Sequence, residues 1–360
     1  MPIGNMREKM TLFKPHFYQM SAYQPPLEGR SVEQHLLLDF NERTLRVDPA
    51  VDKALTNYIK SGSLQKYPAY GEVADKIAAY VGVASSNVVL TNGSDQGLDL
   101  VTRASCSEGD EAIIPAPSFA IYRQFAEIQN VSVVEPLYTK EGGYPTSDVL
   151  NLISAKTRLI VIPNPNNPSG TLIPREEIIQ ILSAAPQAVV LLDECYYEYL
   201  GESVADLCDQ YRNLVVARTL SKTWGLASLR IGFLVSSAEN IDQLLKIRGP
   251  YDVNQLAVVA AEAALDNPQY TKDYISEVMN KSKPALEAWC KGRNIDFWPS
   301  SANFLWTFPP RASELASYLE EHNILVRPKK DALGNLGLRI NLGTIDQTEQ
   351  LISALNKFYQ

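Results

Sequence analysis

Val189-Val190-Leu191-Leu192-Asp193-Glu194-Cys195-Tyr196-Tyr197 is the stretch whose reading decides the fold: four apolar residues with no polar alternation run straight into two acids. A strand with one face in water alternates apolar and polar residues, whereas a continuous apolar run is covered on both faces. Working outward, the same texture recurs at Val88-Val89-Leu90, Ala112-Ile113-Ile114, Leu159-Ile160-Val161-Ile162, Leu214-Val215-Val216 and Ile231-Gly232-Phe233-Leu234. Segments of helical period lie between these runs, among them Ser118 to Gln129 and Pro174 to Ala185. This alternation from about residue 87 to 236 predicts an α/β fold with a large, doubly wound, mostly parallel sheet. Beyond residue 265 the texture changes to longer helices and shorter amphipathic strands, the mark of a smaller α+β domain. A charged helical stretch runs to Arg293 with Pro284 as a kink or boundary, and Thr344 is placed to cap the last helix. The expected division is an N-terminal arm over 1–30, a segment packing with the small domain over 31–55, a large domain over 56–265 and a small one over 266–360.

Composition narrows what such a protein does. The chain has 360 residues, 45% of them hydrophobic, enough for one large core or two joined ones. Its net charge of -8 is the wrong sign for nucleic acid or an anionic membrane surface, and no apolar run is long enough to cross a bilayer. His16, His35 and His322 are too scattered for a local metal motif, and their scarcity argues against a Ser-His-Asp mechanism. No metal site is expected. Cys106, Cys195, Cys208 and Cys290 form no CxxC pair and nothing resembles a leader peptide, so reduced thiols and a cytoplasmic location are expected. The first twenty residues read as a poorly ordered arm.

In an open α/β sheet, ligands bind beyond the carboxyl ends of the strands. Thr91-Asn92-Gly93-Ser94-Asp95-Gln96-Gly97 follows the first run and opens a helix, whose free N–H groups suit a phosphate, although a Ser or Asp before a helix is more often just a cap. Pro163-Asn164-Pro165-Asn166-Asn167-Pro168-Ser169-Gly170 follows the third and is either a plain rigid turn or a fixed loop displaying amides. Asp193 ends a fully apolar strand and needs a cation or a ligand. Arg218-Thr219-Leu220-Ser221-Lys222-Thr223-Trp224-Gly225, with Arg230 eight residues past Lys222, offers hydroxyls and cations for an anion and a lysine whose surroundings lower its pKa. A lone lysine in a loop is ordinarily a solvated charge; four strand ends in a row carrying cradle, amide, acid and lysine argue for a shared site.

The Asn-Pro-x-Gly, Asp-Glu-x-Tyr and Ser-Lys-x7-Arg elements, in this order, resemble the fold-type-I pyridoxal-phosphate-dependent aminotransferases of class I/II. The motif content is most similar to the histidinol-phosphate aminotransferases. The matching stretches include Leu38-Asp39-Phe40-Asn41-Glu42, Tyr67-Pro68, Asn166-Asn167-Pro168-Ser169-Gly170 and Leu338-Arg339-Ile340-Asn341-Leu342-Gly343-Thr344, and they cover nearly the whole chain. The resemblance implies pyridoxal 5'-phosphate as cofactor, held covalently by Lys222, which would also shuttle the substrate's proton. It implies that Asp193 pairs with the pyridine nitrogen and that Asn167 and Tyr196 bond the ring oxygen. Gly93, Ser94, Asp95, Thr219, Ser221 and Arg230 would hold the phosphate, Phe119 would stack on the ring, and Tyr67 would reach the phosphate from the other subunit of a homodimer. Phe119 stands where the family usually has Tyr, Ser169 where it has Thr, and Cys195 where Ala is common.

For substrate, the resemblance implies Tyr23, Asn41, Arg327 and Arg339, the two arginines able to grip a dianion in bidentate fashion. Arg327 also reads as a solvated edge-strand charge, Tyr23 as a tethering residue, and Lys329 and Lys330 blur the alignment between the two arginines. The expected reaction is ping-pong transamination between histidinol phosphate and 2-oxoglutarate, giving imidazole-acetol phosphate and glutamate. The alternatives are an aromatic or broad-range amino-acid aminotransferase, or a threonine-phosphate decarboxylase. A transcription regulator with an aminotransferase-like domain is a further class, but the residues before Leu36 are too few for a DNA-binding module and lack a basic helix.

Overall fold

The computed structural model describes residues 12–360; the part of the expected arm before residue 12 lies outside the described residues. Among these, twelve strands form two sheets: β1 Leu36–Leu38, β2 Val88–Asn92, β3 Glu111–Ile113, β4 Ser132–Val134, β5 Thr157–Pro163, β6 Val189–Asp193, β7 Leu214–Thr219, β8 Ile231–Val235, β9 Asp296–Trp298, β10 Phe304–Phe308, β11 Ile324–Lys330 and β12 Leu336–Asn341. The large sheet has the order β2-β8-β7-β6-β5-β3-β4, with β8 the single antiparallel strand. All six apolar runs read from the sequence are in it. The seventh strand, β4, begins on an exposed serine and its two valines are only partly buried, so it leaves no continuous apolar run.

Alternate residues of the central strands feed different cores. Ile160, Ile162, Val190 and Leu192 join one buried cluster, and Leu159, Val161 and Leu191 join another across the sheet. Both faces are therefore covered, which is why these strands need no polar positions. The second sheet has the order β1-β11-β12-β10-β9, with β1 parallel to β11 and the other pairs antiparallel. Its core holds Phe304, Leu305, Leu338 and Ile340 under the helices Ala312–Glu321 and Ile345–Phe358. Thr344 caps the latter in a capping box with Gln347.

One helical expectation is corrected. The helix expected from Ser118 starts at Ile121 instead. Asn166 Nδ2 donates to the Pro117 carbonyl at 3.0 Å, so the chain ahead of Ile121 is held as a loop. Pro284 does stand at a boundary within the helical stretch up to Arg293: helix Pro268–Glu277 passes through a π-helical turn, Val278–Ser282, into helix Lys283–Gly292, whose first turn holds the proline. Proline removes an N–H and its ring crowds the carbonyl four residues back, and a widened turn ahead of it relieves both.

Strand register aligns the carboxyl ends. Pro163 of β5 pairs with Asp193 of β6, which pairs with Ala217 of β7, so the loops after these strands open side by side. Asn92 at the end of β2 pairs with Ile231 at the start of β8, which sets Gly93 against Arg230. The small sheet brings β11 and β12 over the same opening, and a crevice of about 530 Å³ lies between them.

Candidate active site

The adjacent acids Asp193 and Glu194 meet different surroundings. Glu194 accepts Arg218 Nε at 2.8 Å and the Ser203 hydroxyl, forming a fully buried ion pair behind the crevice. Asp193 faces the crevice and has no cation bonded to it among the described residues. Its Oδ1 accepts the Cys195 N–H at 3.0 Å and its Oδ2 the Tyr122 hydroxyl at 2.5 Å. Burial raises the Asp193 pKa, and these donors work against that rise. The result is a buried carboxylate aimed at whatever cationic group the crevice receives.

Lys222 follows β7 and is half-buried in the crevice wall, its Nζ donating to the Phe40 carbonyl at 3.0 Å. Burial, then the charge of Arg339, lowers its pKa, so its amine is more readily unprotonated than an ordinary lysine's. Cys195 has the opposite character: burial, with Asp193 nearby, pushes its thiol well up, consistent with a small packing residue.

A phosphate cradle lies at one end. Gly93 opens helix Gly93–Ser105 with φ +70°, and a Cβ there would collide with the Arg230 guanidinium. Gly232 is equally hemmed in, since its Cβ would lie 2.6 Å from the Ser94 nitrogen. Arg230, itself at φ 55°, donates to Asp95 at 2.9 Å and to the Ala227 carbonyl at 3.3 Å. Thr219 and Ser221 bond each other at 2.9 Å beside it. A helix N-terminus, hydroxyls and a guanidinium in one concavity fit a phosphate monoester.

At the other end Tyr196 is buried and receives Asn41 Nδ2 at 3.0 Å and Asn167 Nδ2 at 3.5 Å. Asn41 Oδ1 and Arg339 Nε are buried without a partner among the described residues. Arg339 donates to Asn167 Oδ1 at 2.6 Å and to the Asp39 carbonyl, and burial brings it down to about 10. Phe119 lines the crevice, with Tyr23 edge-on at a centroid distance of 6.3 Å. Arg327 enters from β11 with its guanidinium 5.2 Å from the Phe40 ring. An aromatic wall, a buried acid, a phenol with two amides, a lysine and a phosphate cradle fit pyridoxal 5'-phosphate.

Of the residues singled out in the sequence, all but Gly93, Asn41 and Tyr67 line this crevice; Gly93 and Asn41 stand behind its wall. Tyr67 is 77% exposed and stacks on Tyr251 at 4.4 Å, away from this chain's own crevice. Three participants escaped the sequence reading. Tyr122 reads as core by helical spacing, its lone hydroxyl on an apolar face being the available signal. Phe40 acts through its carbonyl, which leaves no trace in a sequence. Lys329, which lines the crevice near Arg327 and Arg339, reads as part of an irregular connection.

Comparison with known proteins agrees with this geometry. The family model described as aminotransferase class I and II matches residues 34–355. A histidinol-phosphate aminotransferase of Geobacillus sp. (strain WCH70) is 34% identical over 360 residues, covering 94% of this chain and 95% of the relative. Histidinol-phosphate aminotransferase 2 of Hydrogenovibrio crunogenus is 31% identical, covering 95% of each chain. Among solved structures, histidinol-phosphate aminotransferase from Sinorhizobium meliloti in complex with pyridoxal-5'-phosphate superposes with a TM-score of 0.86 at 21% identity, over 97% of this chain and 98% of that one. L-threonine-O-3-phosphate decarboxylase from Porphyromonas gingivalis gives 0.75 at 24% identity, over 90% and 99%.

Proposed function

The chain belongs to the class I and II aminotransferases, and from that premise we propose that it transfers an amino group between histidinol phosphate and 2-oxoglutarate, with pyridoxal 5'-phosphate as cofactor, in histidine biosynthesis. The products in that direction are imidazole-acetol phosphate and glutamate. The observation that carries the reading is the division of labour between Asp193 and Glu194: the latter is neutralised by Arg218, and the former is left buried and facing the crevice for a cationic ring.

When bound, the cofactor supplies a ring that accepts the electron pair released at the substrate's Cα and a carbon that takes up the amino group. Asp193, oriented by Tyr122 and the Cys195 N–H, would keep the ring nitrogen protonated. Tyr196 and Asn167 would bond the ring oxygen, and Phe119 would cover the ring's face. Ser94, Thr219, Ser221 and Arg230 would hold its phosphate, with Asp95 fixing the arginine. Lys222 would hold the cofactor covalently, and its Nζ, its basicity tuned by burial and Arg339, would carry the substrate's Cα proton. Arg327 and Arg339 would bind the donor's phosphate in one half-reaction and the acceptor's distal carboxylate in the other.

The same reading makes the enzyme a cytoplasmic homodimer in which Tyr67 reaches the partner's cofactor phosphate. What supports it is the exposed Tyr67–Tyr251 stack and four cysteines that are all buried and unpaired, as suits a reducing compartment.

The purified protein is expected to show a visible absorbance band and to form glutamate from histidinol phosphate and 2-oxoglutarate. Lys222→Ala is expected to lose its covalent hold on the cofactor and at least about 10³-fold in turnover while its far-UV circular dichroism stays native. A Lys222→Ala protein still covalently linked to cofactor would sink the assignment. Carbon dioxide released from threonine phosphate, with no glutamate formed, would select the decarboxylase instead.

A further inference from the structure

Three cations converge on the outer end of the crevice, and the reaction as described uses two. Arg327 of β11 pairs directly with Arg339 of β12, and Lys329 lies two residues along β11, on the same face of the sheet. All three side chains line the crevice. The acids that share it are otherwise engaged: Glu42 is paired with Arg30, Asp95 with Arg230, and Asp193 stands under Tyr122. Arg339 spends its donors on Asn167 and the Asp39 carbonyl, with Nε left over. Among the described residues the Lys329 ammonium has neither a hydrogen bond nor an ion pair, although the residue is only partly exposed. A cationic group held half-buried beside two guanidiniums, without an anion, is a cost that a bound anion offsets. The electrostatics agree, since burial and the charges of Arg339 and Arg327 push the Lys329 ammonium down to about 8.

We propose that Lys329 is a specificity-determining residue that binds the donor's phosphate together with Arg327 and Arg339, so that the crevice prefers a dianion over the single distal carboxylate of 2-oxoglutarate. The inference rests on the reading of the donor as a phosphate monoester. It assigns the two halves of the reaction different dependences on one side chain: the phosphate calls on all three cations, whereas the carboxylate is satisfied by the guanidiniums.

The test uses the holoenzyme with Lys329→Met, Lys329→Gln and Lys329→Arg. Removing the ammonium is expected to raise KM for histidinol phosphate by at least about tenfold more than KM for 2-oxoglutarate, and to weaken inhibition by inorganic phosphate by a similar factor. Lys329→Arg is expected to restore most of both. Equal changes in the two KM values, or an inhibition constant for inorganic phosphate that does not move, overturn the proposal. Should the wild type fail to turn over histidinol phosphate, it is the donor assignment that fails. Phosphate inhibition measured against whichever amino donor the wild type uses then still decides the role of Lys329.

Discussion

Tyr122 shows how much one hydroxyl contributes here. Its O–H donates to Asp193 Oδ2 within a wholly buried pair, and that bond stabilises the ionised carboxylate against the burial that disfavours it. Tyr122→Phe keeps the packing and removes the donor, so the Asp193 pKa rises and the acid is protonated at a higher pH. The acidic limb of the kcat/KM profile is expected to shift upward in pH, with a loss of about tenfold at neutral pH, read from initial rates across a pH series. Asp193 and Lys222 stood out in the sequence because each is a polar residue where an apolar strand stops, and a buried polar group needs a reason, whereas Tyr196 entered only through the family resemblance. Tyr122 did not stand out, because a tyrosine at core spacing is indistinguishable from packing until its oxygen's partner is known.

At the scale of elements, the carboxyl ends of β6 and β7 build a second polar layer behind the site. Arg218 lies over the Tyr197 ring at 3.7 Å and bonds Glu194. Glu198 accepts Tyr80, Thr223 and Trp224 at 3.0 to 3.1 Å, and burial raises its pKa. Arg218→Met would leave Glu194 buried without its cation, and a loss of about 3–5 kcal/mol is expected from such a break, seen as a lower urea midpoint with an unaltered slope. The six apolar runs of the large sheet were readable because two-sided burial writes continuous apolarity into the chain. Strand β4 and the π-helical turn before Pro284 were not: one is broken by an exposed serine, and the other is a local response to a missing N–H. Likewise the Glu194–Arg218 pair sits where the sequence pointed to ligand chemistry, and only the register of β6 against β7 separates the structural acid from the one facing the crevice.

The whole molecule puts its charges to two uses. The chain as a whole carries a net -8, while cations gather in the crevice between the two sheets. The parts of the fold built on the two sheets also meet outside the site, where Lys140 pairs with Asp296 and the Ser301 N–H donates to the Gly170 carbonyl at 2.8 Å. If Tyr67 serves the neighbouring subunit, the inactive variants Lys222→Ala and Tyr67→Ala should complement one another when unfolded and refolded together. A mixed dimer has one site with both residues intact, so about a quarter of wild-type activity is expected at equal proportions, checked by assay after mixing at several ratios. Activity that stays at the sum of the two variants would overturn the assignment of Tyr67 to the neighbouring subunit's site.

The segment Asp39-Phe40-Asn41 grips two cations of the crevice, and it does so through its main chain: the Phe40 carbonyl receives Lys222, the Asp39 carbonyl receives Arg339, and Asn41 turns the path at φ 56°. An alanine scan across positions 39 and 40 would strip a carboxylate and a ring yet leave both carbonyl oxygens in place. The grip on the two cations belongs to the route of the chain, which the left-handed turn at Asn41 holds, while the side chains of the same three residues meet Arg30, Arg327 and Tyr196.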